Sequence, residues 1–375
     1  MKKFLRIIKD VYKYQNIKNE HMQIIVFLEK KSDINYFKRY LSDLYKFLKI
    51  KIIILCSEFL AINEFKHYDF ENEYIYIGEG LPRFLYFKLI KAKIFLMTTP
   101  DLENSELKRS IHAVKYFYIF HSPVSSHAIY NHNAFKHYDY ILSAGPHHCK
   151  EIKLVEKFYS NKKKFLIPFG YPRILDLKEE YLNTSLKFKK NNSQKTILIA
   201  PTWGKSSITD NCIEIILKEL IKENFRIIFR PHPISLDIKE NFILKLKKEF
   251  IGKVFFELDV SNTLYLNDVD LLITDWSGFS IEFFLTTKKP TLFVDTPNKI
   301  NNKNFSDIKL VPLEKKVRTE IGSIIKIDSI HKINIIINNL MKKKYIKIKD
   351  NYIYDYSQNY KKSLSIIKNI LDDQI

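Results

Sequence analysis

Glycine is scarce in this 375-residue chain, with 8 residues, and so are cysteine, with 3, and tryptophan, with 2. Lysine, asparagine, isoleucine, phenylalanine and tyrosine, the residues of A/T-rich codons, are abundant instead, so composition reflects coding bias and says little about function. Cys56, Cys149 and Cys212 are far apart and odd in number, which excludes a disulfide framework and reads as reduced thiols in a cytosolic protein. No apolar run approaches the roughly 18 residues a membrane span needs. Lys9 and Asp10 interrupt any signal-peptide core behind the basic start MKKFLRIIKDVYK. A Gly-rich phosphate loop ending in Lys-Ser/Thr, a GxGxxG turn and a GxSxG elbow are all missing, so ATPase, dehydrogenase and α/β-hydrolase readings lose their main support. The net charge of +20 favours polyanions and anionic membrane surfaces. Without an RNP motif or zinc finger beside it, that charge does not read as nucleic-acid binding.

What is present is enough length for two domains and a hydrophobic content of 46%, within the globular range. Short apolar runs alternate with helical patterns: MQIIVFL, KIIILCS, EYIYIG, AKIFLMT, KYFYIFHS, YDYILSAG and KKFLIPFG. A second series follows with KTILIAPTW, NFRIIFRPHP, GKVFFEL, VDLLITDWSG, KPTLFVDTP and IGSIIKI. Continuous apolar runs with helical spacers predict buried parallel strands, hence two α/β domains of the doubly wound kind. The predicted division is an acceptor-side domain over 1–175, a polar linker over 176–195 and a second domain over 196–345. A helical segment over 346–375 is expected to pack back on the first domain. Residues 1–14 predict a basic amphipathic helix, either lying on an anionic membrane or packing on the first domain.

In open parallel sheets ligands bind beyond the carboxyl ends of the strands. Four polar stretches, RPHP, DWSG, APTW and FHSP, sit at such ends and point to a cleft. In RPHP, Pro231 and Pro233 end the strand and hold Arg230 and His232 in a fixed extended path. Arg230 offers a planar fork to phosphate and His232 a proton near neutral pH. Asp275, Ser277 and Gly278 lead from a buried strand into a helix start. There Ser277 caps the helix or donates to a phosphate oxygen, and Gly278 admits a ligand close to the backbone. His121 ends the strand YFYIF and is the candidate second catalytic group. Seven of the eleven histidines lie between 112 and 148, but their spacing matches no common zinc pattern, so no metal is expected. Asp268 and Asp270 read as a solvated turn.

These stretches resemble the CDP-glycerol glycerophosphotransferase family, which builds or primes teichoic acids and related phosphopolyol polymers. The matching text is ILIAPTW (197–203), FRPHP (229–233), DVDLLITDWSGFSIEFF (268–284) and KPTLFVD (289–295), with FHSP (120–123) more loosely alike. The chain departs from the family's usual text at Trp276 for tyrosine, Gly278 for a second serine and Ser122 for glycine. The resemblance implies a glycosyltransferase-B-like fold with two facing doubly wound domains. It implies a transferase with no metal and no cofactor, taking a CDP-linked donor and a glycan or lipid-linked acceptor. His121 would be the base on the acceptor side. Arg230 and His232 would meet the donor diphosphate, Asp275 would lie near the polyol, and Ser277 and Gly278 would cradle phosphate. Thr202 and Glu282, inside the matching text, complete the donor-binding set. The expected place is the cytoplasm, at the inner face of the membrane. A nucleotide-sugar glycosyltransferase of the same fold, or a non-catalytic subunit of a polymer-assembly complex, are the alternatives.

Overall fold

The computed structural model describes residues 2–18, 22–59, 68–104, 106–187, 194–259, 264–343 and 352–372. The chain divides into two compact units. Unit 1 comprises Met1–Arg173 with Asn301–Leu310 and Tyr352–Ile375, and unit 2 comprises Ile174–Ile300 with Val311–Asn351.

Each apolar run forms a strand. In unit 1 these are β1 (Ile24–Leu28), β2 (Ile52–Cys56), β3 (Asn72–Tyr76), β4 (Ile94–Met97), β5 (Lys115–Ile119), β6 (Tyr140–Ser143) and β7 (Phe165–Pro168). In unit 2 they are β8 (Lys195–Ile199), β9 (Phe225–Phe229), β10 (Val254–Phe256), β11 (Val269–Thr274), β12 (Thr291–Asp295) and β13 (Gly322–Lys326). All pairings are parallel, in the orders β3-β2-β1-β4-β5-β6-β7 and β10-β9-β8-β11-β12-β13. In both sheets the order reverses direction once, between β1 and β4 and between β8 and β11. That is the switch point at which doubly wound sheets open a crevice.

Successive side chains of a strand point to opposite faces, and helices cover both, so both alternating sets are apolar. In unit 2, Ile197, Ile199, Ile227, Phe229, Leu271 and Ile273 pack on one face, while Leu198, Ile228 and Leu272 pack on the other. This double burial explains why the strands read as unbroken apolar runs.

The stretch read as a linker begins instead inside a helix, Arg173–Lys187, whose Leu177 is buried in the unit 2 core. Glu179 and Asn183 lie on its exposed side, which is why composition alone mimicked a linker. Residues 188–193 of that stretch, and 346–351 of the terminal segment, lie outside the described residues. The terminal helix Tyr356–Asp372 belongs to unit 1, where Tyr40 donates to Ser363 at 2.9 Å and Tyr356 to Asp43 at 2.7 Å. The chain leading into that helix passes tightly over Gly170. The glycine has φ +98°, and a Cβ on it would lie 2.7 Å from the Tyr354 carbonyl oxygen. Only glycine accommodates both the dihedral and the contact.

The N-terminal helix forms, over Lys2–Gln15, and one side of it packs on β3. Buried Asp10 accepts from the Tyr76 amide at 2.8 Å and from Arg6 at 2.7 Å, and Lys13 donates to the Tyr74 carbonyl at 3.0 Å. Leu5, Ile8 and Tyr12 remain exposed on the opposite side. Among the described residues no helix is long and apolar enough to cross a membrane.

Candidate functional site

In unit 1, His121 follows β5 and turns toward the end of β4. Its Nδ1 lies 3.1 Å from the Thr98 carbonyl oxygen and 3.2 Å from the Thr98 hydroxyl. A carbonyl only accepts, so Nδ1 carries the proton and Nε2 keeps its lone pair. The Tyr130 hydroxyl donates to that Nε2 at 3.2 Å, and the Tyr171 hydroxyl fixes the His121 backbone through its carbonyl at 2.9 Å. Burial lowers the pKa of the imidazole, opposed by the Thr98 carbonyl and by the charge of Glu29. His121 is therefore a neutral imidazole near neutral pH, in the tautomer a general base requires.

In unit 2 the polar groups gather where β8, β9, β11 and β12 end. Asp275 is buried, at 1% exposure, and both its oxygens are engaged. Oδ1 accepts from the amides of Thr202 at 2.8 Å and Trp276 at 2.6 Å, and Oδ2 accepts from the Ile208 amide at 2.8 Å. The carboxylate thus ties the exit of β8 to the exit of β11 across the switch point. Burial raises its pKa, and the three amides and the charge of Lys299 oppose that rise. The role seen here is to shape the two loops. The implied contact with a polyol would need an oxygen of this carboxylate that the loops already use.

Arg230 leaves the end of β9, and its guanidinium lies 3.9 Å from the centre of the Phe279 ring, at the start of the helix Phe279–Thr287. That stacking sets the arginine beside the helix start, as a planar cation on an aromatic face. His232 is extended, with φ −66° and ψ 144°, and Pro233 opens a short helix rather than prolonging the extended path. Proline suits that first helical position, and His232 is its cap, Nδ1 accepting from the Ile234 amide at 3.2 Å. A ring that accepts at Nδ1 carries its proton on Nε2. His232 therefore presents an N–H donor, the opposite tautomer to His121.

Ser277 and Gly278 are half-buried at the same helix start. The Phe279 amide approaches the Ser277 hydroxyl at 3.4 Å, while Gly278 is the capping residue in an ordinary right-handed conformation. Glu282 is buried in the first turn. Thr202 is buried behind the β8 exit and accepts a hydrogen bond from the Lys299 ammonium. Trp276 turns into the core, donating to the Thr296 carbonyl at 3.1 Å beneath the Arg318 guanidinium, 4.1 Å from the ring centre.

The remaining clustered histidines have local duties. His127 meets Glu151 at 3.2 Å and stacks on Phe305, His148 bonds the Val124 carbonyl at 2.8 Å, and His132 stacks on Tyr159. Asp268 pairs with Arg226 at 3.0 Å, and Asp270 accepts from the Thr196 amide at 2.8 Å. Among the described residues no group of three or more His, Cys, Asp or Glu side chains is placed to hold a metal ion.

Thr98, Tyr130 and Lys299 were missed in the sequence reading. One lysine among 62 basic residues carries no distinguishing signal. Thr98 and Tyr130 join His121 only through adjacent strands and a loop.

The model of the family described as CDP-Glycerol:Poly(glycerophosphate) glycerophosphotransferase matches residues 122–301. The resemblance to that family is borne out. The match begins one residue after His121 and contains every unit 2 group named above except Arg318. The minor teichoic acid biosynthesis protein GgaB of Bacillus subtilis (strain 168) is 24% identical over 166 residues, 37% of this chain. The chain covers 17% of the length of that relative. Among solved structures, the wall teichoic acid polymerase TagF has a TM-score of 0.60 at 14% identity, covering 100% of this chain and 98% of that one. The UDP-GlcNAc 2-epimerase of Methanocaldococcus jannaschii, in complex with UDP-GlcNAc and UDP, has a TM-score of 0.59 at 12% identity, covering 92% and 100%. At such identities the likeness is one of fold. It agrees with the two doubly wound α/β units expected from the strand pattern and with the glycosyltransferase-B-like class that the family resemblance implied.

Proposed function

We propose that the chain transfers a glycerophosphate unit from CDP-glycerol to a hydroxyl of a glycan or lipid-linked acceptor, in making a teichoic-acid-like surface polymer. The observation that carries this reading is the family match over 122–301, a stretch that contains Thr202, Arg230, His232 and Ser277, each just beyond the end of a strand of one sheet.

In this reading the acceptor oxygen attacks the β-phosphorus of the donor, the anhydride bond breaks, and CMP leaves. His121 Nε2 takes the hydroxyl proton, in exchange for the hydrogen bond it now receives from Tyr130. His232 Nε2–H and Arg230 stabilise charge on the diphosphate, and Ser277 with the first amides of its helix holds phosphate. Phosphoryl transfer asks mainly for positioning and charge stabilisation, each contact contributing about 3 kcal/mol in the transition state. No metal or cofactor is assigned a part, the cationic side chains taking that role.

The test is incubation of the full chain with CDP-glycerol and a phosphopolyol or glycan acceptor, with and without EDTA. CMP release with a new phosphodiester, unchanged by chelation, is expected. A glycosidic bond formed from a nucleotide sugar would instead assign the chain to sugar transfer. In cells, polymer that survives His121→Ala with His232→Ala but not loss of the chain would make it a non-catalytic subunit.

The outer side of the N-terminal helix supports a peripheral position at the inner face of the membrane. Leu5, Ile8 and Tyr12 are exposed there, with Lys9 beside them, as on helices that lie in an anionic interface. Leu5→Glu with Ile8→Glu is expected to reduce co-sedimentation with phosphatidylglycerol vesicles by about tenfold or more. The melting temperature should move little, because both side chains are exposed. Unchanged sedimentation would leave the helix a packing element only.

A further inference from the structure

Lys299 lies just beyond the end of β12, and its side chain folds inward over the exits of the neighbouring strands. Its ammonium donates to the Thr202 hydroxyl and sits 4.8 Å from the centre of the Trp203 ring. The same indole lies 6.3 Å, centre to centre, from the His232 ring. One aromatic side chain therefore joins Lys299 to the β9 exit that carries Arg230 and His232.

Lys299 is half-buried, and among the described residues its ammonium forms no ion pair. Asp275 and Glu314 act on it only at longer range. Asp275 is already engaged by three backbone amides. A cation drawn out of water without a counter-ion is unfavourable, and an anionic ligand offsets that cost.

We propose that Lys299 is the cation that receives the diphosphate of the donor in unit 2, against Thr202 and beside the Trp203 ring, and that its protonation governs donor affinity. The proposal rests on the nucleotide-donor reading above and adds to it a specific group and a pH dependence. Burial, the largest influence, depresses the ammonium to about 8, against the pull of the Asp275 and Glu314 charges. The group is charged at neutral pH and loses its proton as pH rises through that value. Binding of a diphosphate requires the proton, so affinity falls above that pH, by up to about tenfold per pH unit.

The experiment is calorimetric titration of the full chain with CDP and, separately, UDP, between about pH 7 and about pH 9.5, for the unaltered protein, Lys299→Met and Lys299→Arg. Unaltered protein should bind CDP at neutral pH and weaken above about pH 8. Lys299→Met should bind about 10- to 100-fold more weakly at neutral pH, with an unchanged melting temperature. Lys299→Arg should bind within a few-fold of the unaltered protein and keep its affinity across the range, since guanidinium does not titrate there. CDP binding by Lys299→Met at full strength would overturn the proposal and leave the donor reading standing. So would a fall in affinity above about pH 8 that persists in Lys299→Arg. UDP binding without CDP binding, lost in Lys299→Met, would keep Lys299 as the diphosphate cation and overturn the CDP reading. Binding of neither nucleotide would overturn both.

Discussion

Transfer by His121→Ala is expected to be about two to four orders of magnitude slower than by the unaltered protein, with CDP affinity unchanged, because the base is lost while the donor groups stay in place. The size follows from the tautomer. Thr98 holds the proton on Nδ1, so all of the basicity of the ring is at Nε2. A second readout is pH. Burial lowers the imidazole pKa, so the active neutral form persists as pH falls and is lost only below the ordinary histidine range. The acidic limb of kcat should lie below 6.5, the ordinary value. Tyr130→Phe tests the geometry separately. It removes the donor to Nε2 without disturbing the Thr98 bond, so the acidic limb should move while the rate at neutral pH changes far less than in His121→Ala. A normal rate in His121→Ala would remove this residue from the chemistry.

Asp275→Ala should have the largest effect on stability. It strands the amides of Thr202, Ile208 and Trp276, which lie in a buried region and have this carboxylate as their partner. A buried donor left unmade costs about 1–3 kcal/mol, so the variant should lose about 3 kcal/mol or more even with some relaxation or water entry. That corresponds to a melting temperature lower by about 6 °C or more for a unit of this size. The loops after β8 and β11 lose their tie together, so CDP affinity should fall in the same variant. Asp275→Asn keeps one acceptor but turns a donor toward a backbone N–H, and should fall between the two. A variant that melts and binds like the unaltered protein would show that other contacts hold these loops.

Much of this molecule was legible in its residues. All thirteen runs of apolar residues became strands, because a strand buried on both faces has no polar alternation to obscure it. The strand-exit groups were legible for a related reason. Prolines at 231 and 233, a serine–glycine pair before a helix and a histidine ahead of a proline are interruptions of apolar text that packing does not demand. The misreading of the linker came from a surface. Residues 176–187 looked like a linker because a solvent-facing helix side and a linker have the same composition. The role inferred for Asp275 rested on its position at a strand end. Which neighbours claim its two oxygens depended on loops 67 to 73 residues away in the chain.

By itself the amino-acid sequence determined the layers of the fold, the strands and their exits, and the family likeness, because those rest on local periodicity and on short motifs. The tertiary structure decided the order of the strands and the burial of each group. It also decided which nitrogen of His121 and of His232 carries the proton, and that Lys299 is half-buried against Thr202 and Trp203 rather than among the solvated lysines. Such properties belong to pairs of residues far apart in the chain. A proton's place is set by the partner across the gap, and a charge's worth by how much water has been removed from around it.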